Sequence, residues 1–387
     1  MNRAAKIRLA LGTVAALLLA AGWWVLRAPA IEHEVVAPPP DIDIDPPVMR
    51  ARREAALAIA LMPDDPWTFA ESLAPSAPAS ASKEECGIDG RPAFSDSSDP
   101  EQNAVQTRGP SARYATAQAR IDAALRGSAD PFDRAVADWL NVGGMRSESG
   151  RDESVVQEAA ATTDPRLYAL AYALCQSSRG PPPSCSAITL DRWIQVDPDN
   201  GVPWATRLGQ ARSSGDAAGV RTAMSQIAAA RRFDVYFHSA AGAVASRATE
   251  DDSDLAAASD LATTALGQSA GLPLPAFQVL SQVCRNRAGG DAALARQCVA
   301  VSDVMFAHSD TLLAQGISGS LLFQATGDAS RRDFVRAERA VVEARWSPAT
   351  GFSECHEMRD MLNKLVRMGQ VGEVEAMRER ARQFVTP

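Results

Sequence analysis

The chain has 387 residues, of which 46% are apolar and only 6% aromatic, and its formal net charge is −8. Arg3, Lys6, Arg8 and Arg27 fall in the first 30 residues with no acid among them, so the remainder is more acidic than the whole. This balance argues against a nucleic-acid binder, which needs a basic face to neutralise phosphates. Abundant Ala and scarce aromatics suit closely packed helices rather than sheets.

Residues 1–8 are short and basic, and read as a cytoplasmic N-terminus. Leu9 to Leu26 then runs 18 residues without a charge. As a helix at about 1.5 Å per residue it spans roughly 27 Å, close to the thickness of a hydrocarbon core. Trp23 and Trp24 sit at its far end, where amphipathic indoles favour the interface. Positive charges precede the run and Glu32, Glu34 and Asp41 follow it, which predicts an inner-membrane anchor over 9–26 with the bulk of the chain periplasmic. The rival is a cleaved signal peptide, for which Ala28-Pro29-Ala30 has the small-x-small form. Either reading exports the rest of the chain.

Residues 27–47 form a Pro-rich acidic linker. Asp41, Asp43 and Asp45 resemble the start of a calcium loop, but Pro46 and Arg52 stand where a Gly and a Glu are required. Residues 48–73 predict short helices that either dock on the main domain or fold on a partner. Residues 74–110 are rich in Ser, Pro, Asp and Gly and read as an irregular connection. From 111 to 387 the pattern is helical. Helices are expected near Ser111, Asp130, Asp152, Asp164, Ala187, Val202, Asp216, Asp234, Ser253, Pro273, Asp291, Asp310, Asp328, Ser353 and Gln370. Many of these open with Asp, Ser or Asx-Pro, which cap orphan N–H groups or fit the first turn.

The most informative stretch is Thr189 to Phe237. Asp197-Pro198-Asp199-Asn200 stops one helix, and Gly215-Asp216 separates two more. Trp193, Trp204, Leu208, Val220 and Ile227 are expected to form the core of a helical hairpin. Such a hairpin cannot bury both faces alone and needs similar neighbours. The D-P-D-N turn, Trp204 and the later Gly-Asp turn resemble the tetratricopeptide (TPR) repeat. The Leu208-Gly209 pair sits one residue later than that pattern places it. Asp-Pro steps at 130, 164 and 197 recur about 33 residues apart, near a helical-hairpin period. The resemblance implies an all-α superhelix of α-α hairpins, a TPR-like solenoid, behind the single N-terminal transmembrane helix.

All six cysteines lie beyond the membrane segment, which in an oxidising compartment points to disulfides. Of the 15 possible pairings, proximity favours Cys175 with Cys185 and Cys284 with Cys298. Cys86 and Cys355 remain. Metal binding is the alternative, but no C-x-x-C spacing occurs.

The four histidines, His33, His238, His308 and His356, make no catalytic pattern. Glu354-Cys355-His356-Glu357 lacks the H-E-x-x-H spacing. Glu71-Ser72 and Glu148-Ser149 share a dipeptide with lytic transglycosylases but not the segment that follows it. No catalytic, cofactor or metal site is expected. The reading is a membrane-anchored periplasmic scaffold or adaptor that binds an envelope protein or peptide. The alternative is an envelope hydrolase acting on peptidoglycan or peptides.

Overall fold

A computed structural model describes residue 86 and residues 112–140, 148–176, 181–247, 254–285, 291–346 and 355–383. All of them belong to one unit, Pro63–Pro387. The apolar run 9–26, its flanks 1–8 and 27–47, the 48–73 segment and 74–110 apart from Cys86 lie outside the described residues. Among the described residues no helix is long and apolar enough to cross a membrane.

The described chain is all-α, with fifteen α-helices, one 3-10 turn and no strand. First come α1 (Ala112–Arg126), α2 (Pro131–Leu140) and α3 (Glu148–Ala159). Helix α4 (Pro165–Cys175) begins where the Asp164 carboxylate accepts from the Arg166 and Leu167 N–H groups, with Pro165 fixing the first turn. A 3-10 turn (Pro183–Ala187) leads to α5 (Leu190–Val196), capped by Thr189. Asn200 and Asp216 cap α6 (Gly201–Ser213) and α7 (Ala217–Ala229), and between them Gly215 takes φ 72°, a left-handed conformation that favours glycine. Next are α8 (Ser239–Ser246), α9 (Leu255–Ala270) and α10 (Phe277–Arg285). Asp291 and Thr311 cap α11 (Ala292–His308) and α12 (Leu312–Thr326). The described chain ends with α13 (Ser330–Trp346), α14 (Cys355–Val371) and α15 (Glu373–Gln383).

Five expected helix starts move, and the one near Asp152 comes earlier, at Glu148. The helix expected at Asp234 begins at Ser239, because 231–237 pairs through single parallel bridges, Asn200 with Arg232 and Phe233 with Ser309. The one expected at Pro273 begins at Phe277, since Pro275 keeps Leu274 out of the helical region. At Ala187 the chain makes only a 3-10 turn before α5 starts at Leu190. Helix α14 runs straight through Met368-Gly369-Gln370 and breaks at Gly372, at φ 82°.

Helices α2 to α7 pack mostly on their chain neighbours, α1 packs as much on α9 as on α2, and α7 packs on α11. The exception lies at the centre. Helix α8 is buried from Ser239 to Ala245, and it packs against α2, α9 and α14. Only a helix of small residues lets so many neighbours approach. At its closest crossing a Cβ on Gly242 would lie 2.8 Å from the Gly369 Cα of α14. Packing here joins segments far apart in sequence, beyond the nearest-neighbour contacts of an ideal solenoid.

Within the α5–α7 hairpins, Trp193, Leu208 and Ile227 are buried, while Trp204 and Val220 are only half-buried. The inward face of α6 is Val202, Ala205, Leu208 and Ala211. Trp204 stands one position off that face, so the expected central anchor is an edge residue. The cysteines join as Cys86–Cys355, Cys175–Cys185 and Cys284–Cys298, with Cα–Cα separations of 5.3, 5.6 and 5.7 Å. Cys86 is fully buried, and its carbonyl accepts from the Ala256 N–H at the start of α9.

Candidate functional site

A cleft of about 470 Å³ lies between α4 and α6. One wall is the α4 face of Arg166, Leu170, Ala173 and Gln176, at helical spacing. The opposite wall is the α6 face of Val202, Thr206, Gly209, Gln210 and Ser213. Gly209 makes a close approach there, since a Cβ would meet the Ala276 Cβ at 3.1 Å. Leu272-Pro273-Leu274-Pro275 forms a rim on which Leu274 is 53% exposed.

Aromatic side chains line the cleft. Phe132, Trp139, Tyr172 and Trp193 are mostly buried, and the ring centres of Tyr172 and Trp193 lie 4.8 Å apart. The Trp193 indole N–H is buried and finds no hydrogen-bond partner among the described residues. Indole N–H groups usually gain one when buried.

The lining contains no carboxylate, imidazole or thiol among the described residues, and its single charged side chain is Arg166. That guanidinium lies over the Phe132 ring at 4.7 Å and donates to Asp130 and Asp164. Burial disfavours its charge, but the two carboxylates outweigh burial and hold it protonated. With two acids beside one base, the site does not attract anions.

Val235, Tyr236 and Phe237 complete the cleft, and a polar network supports them from behind. Asn200 is fully buried. Its Nδ2 donates to Asp197 Oδ2 and to the Asp234 carbonyl, both at 2.8 Å, while its Oδ1 accepts from the Val202 and Asp234 N–H groups. Arg232 bridges Asp197, Asp234 and the Tyr236 hydroxyl, and that hydroxyl donates to Asp197 at 3.1 Å. Desolvation raises the pKa values of Asp197, Asp234 and Tyr236 from their ordinary values. Asp310 accepts from the Val235 N–H at 2.9 Å and the Tyr236 N–H at 2.6 Å. It keeps some exposed surface, yet the protein encloses its carboxylate, and desolvation aided by Asp234 pushes it up to about 8. Tyr236 takes φ 62°, the one non-glycine residue with positive φ among those described. A bulky side chain in that region is strained and persists only where its surroundings hold it.

Sequence reasoning located Trp193 and the 197–200 turn but not the remainder of the cleft. Arg232, Tyr236, Phe237 and Asp310 were missed because 234–237 reads as a helix start. The available signal was the alternation of Phe233, Val235 and Phe237. Cys355-His356 opens α14, with Cys355 in its disulfide and His356 exposed. No cluster of three or more metal-ligating side chains occurs among the described residues. No family model matches the chain, and no curated protein or solved structure shows significant similarity to it.

Proposed function

We propose that the protein is a membrane-anchored, periplasmic interaction module whose aromatic cleft receives an uncharged, extended stretch of a partner polypeptide. The observation that carries this reading is the lining itself. Aromatic walls, a Leu-Pro rim and a single neutralised charge favour an apolar ligand. Thr206, Gln176, Gln210 and Ser213 offer neutral donors and acceptors suited to peptide amides. A volume of about 470 Å³ falls in the range of ligand-binding clefts. Support for the compartment comes from the three disulfides, which persist in oxidising environments. The 9–26 anchor rests on the sequence pattern, and the TPR-like stacking on the D-P-D-N turn between α5 and α6.

The test is selection of random peptides on the full chain in detergent. Enriched peptides should be uncharged and rich in proline and aliphatic or aromatic residues. Trp193→Ala, which removes an aromatic wall of the cleft, should weaken their binding about tenfold. Gln210→Glu, at an exposed lining position, should weaken it too. Enrichment of charged peptides, or binding indifferent to both changes, refutes the reading.

A further inference from the structure

We infer that Asp310 is a positioning residue for the cleft, and that through it the α14–α15 junction sets the cleft's shape. This rests on the reading of the cleft as a binding site. Tyr236 lines the cleft in a left-handed conformation that tyrosine does not choose unaided. Its N–H and that of Val235 are both held by the Asp310 carboxylate. The backbone of Asp310 is held in turn by the C-terminal helices. Its carbonyl accepts from the Glu373 N–H at 2.6 Å, and the Glu373 carboxylate accepts from the Leu312 N–H at 2.8 Å. Gly372 presses against the same residue. A Cβ there would lie 2.8 Å from the Asp310 Cα, and the φ of 82° requires glycine in any case.

The result is a short, continuous path: Gly372 and Glu373 fix Asp310, Asp310 fixes the 235–236 amides, and these carry Tyr236. None of Asp310, Gly372 and Glu373 lines the cleft. A shift of the C-terminal hairpin, as when a partner engages α15, is therefore passed to the binding surface.

The experiment compares the full chain with Gly372→Ala, Asp310→Asn and Met377→Ala. Met377 is a buried α15 residue with no part in the relay, and its loss controls for general loosening of the hairpin. Hydrogen exchange at the Val235 and Tyr236 amides is read first, because it requires no ligand. Exchange should quicken at least tenfold in Gly372→Ala and Asp310→Asn and change little in Met377→Ala. Binding of Nile red, a neutral apolar probe, is read second, and should weaken at least fivefold in the first two variants only. Unchanged exchange at 235–236 in Gly372→Ala overturns the relay, as does equal quickening in all three variants. If exchange responds but the unmodified chain binds no Nile red or selected peptide, the relay stands and the reading of the cleft fails. Should Gly372→Ala not fold, Glu373→Gln, which weakens the bond to Leu312, takes its place with the same expected ordering.

Discussion

The crossing of α8 and α14 gives the sharpest test of the fold, because two rules make opposite predictions for one substitution. Replacing a helical glycine by alanine ordinarily stabilises a helix by about 0.5–1 kcal/mol. A Cβ on Gly242, however, would sit 2.8 Å from the Gly369 Cα and 2.9 Å from the Leu365 carbonyl oxygen. Carbon atoms prefer about 3.5–4.0 Å, so α14 must retreat by roughly 1 Å. Both obstacles are backbone and cannot rotate aside. The retreat also loosens Met358, Leu362, Leu365 and Met368, the buried face of α14. Overpacking of this kind costs about 1–3 kcal/mol, and with immovable neighbours the upper end applies. After the gain in helix propensity, Gly242→Ala should lose about 2 kcal/mol. For a domain of this size that is a fall in Tm of about 3 °C. Gly369→Ala, whose Cβ would lie 2.9 Å from the Gly242 Cα, should behave alike. The internal reference is Gly267→Ala in α9, where nothing lies within 4 Å of the new Cβ and stability should rise. Thermal unfolding of the oxidised protein by circular dichroism measures all three. If Gly242→Ala raises Tm as Gly267→Ala does, the two helices do not cross at these glycines.

Trp204→Ala, at a half-buried position, should cost about 1–2 kcal/mol, whereas Leu208→Ala, fully buried, should cost about 2–5 kcal/mol; urea unfolding orders them, and the reverse order places the α6 face one residue away. Desolvation holds the His238 pKa down to about 4, so the folded state resists a proton that the unfolded chain accepts near 6.5. Its contribution is present above that pH and is lost as pH falls from about 6.5 to 4; His238→Gln should flatten this part of the stability profile, and an unchanged profile argues against the burial. Asp310 has the opposite sign: its contribution is full below about 4 and is lost as pH rises through about 8, so Asp310→Asn should remove a decline in stability over that window. Opening the Cys86–Cys355 bridge, with a sequence separation of 269, should destabilise more than opening Cys175–Cys185, with a separation of 10. The chain-entropy relation gives about 6 and about 3 kcal/mol, and Cys→Ser pairs compared by urea unfolding measure the difference.

Much of this architecture is local and therefore written in the sequence. Asp164, Asn200, Asp216 and Asp291 announce helix starts because one side chain reaches N–H groups two or three residues ahead, whatever the rest of the chain does. The all-α class follows from the same short-range chemistry. The two short cysteine bridges span neighbouring helices, so their partners could be read from proximity along the chain. The tertiary structure decided what depends on distant groups. Gly369 looks like a helix end until α8 lies across it. Tyr236 looks helical until the Asp310 carboxylate, 74 residues away, takes its N–H and that of Val235. Trp204 and Ala205 are adjacent in sequence, and only the placement of neighbouring helices decides which of them faces inward. The cleft is the extreme case: its walls come from α2, α4, α5, α6 and two loops, each unremarkable alone. No periodicity encodes the gap between them, because a cavity is a property of how rigid elements fail to fill space together.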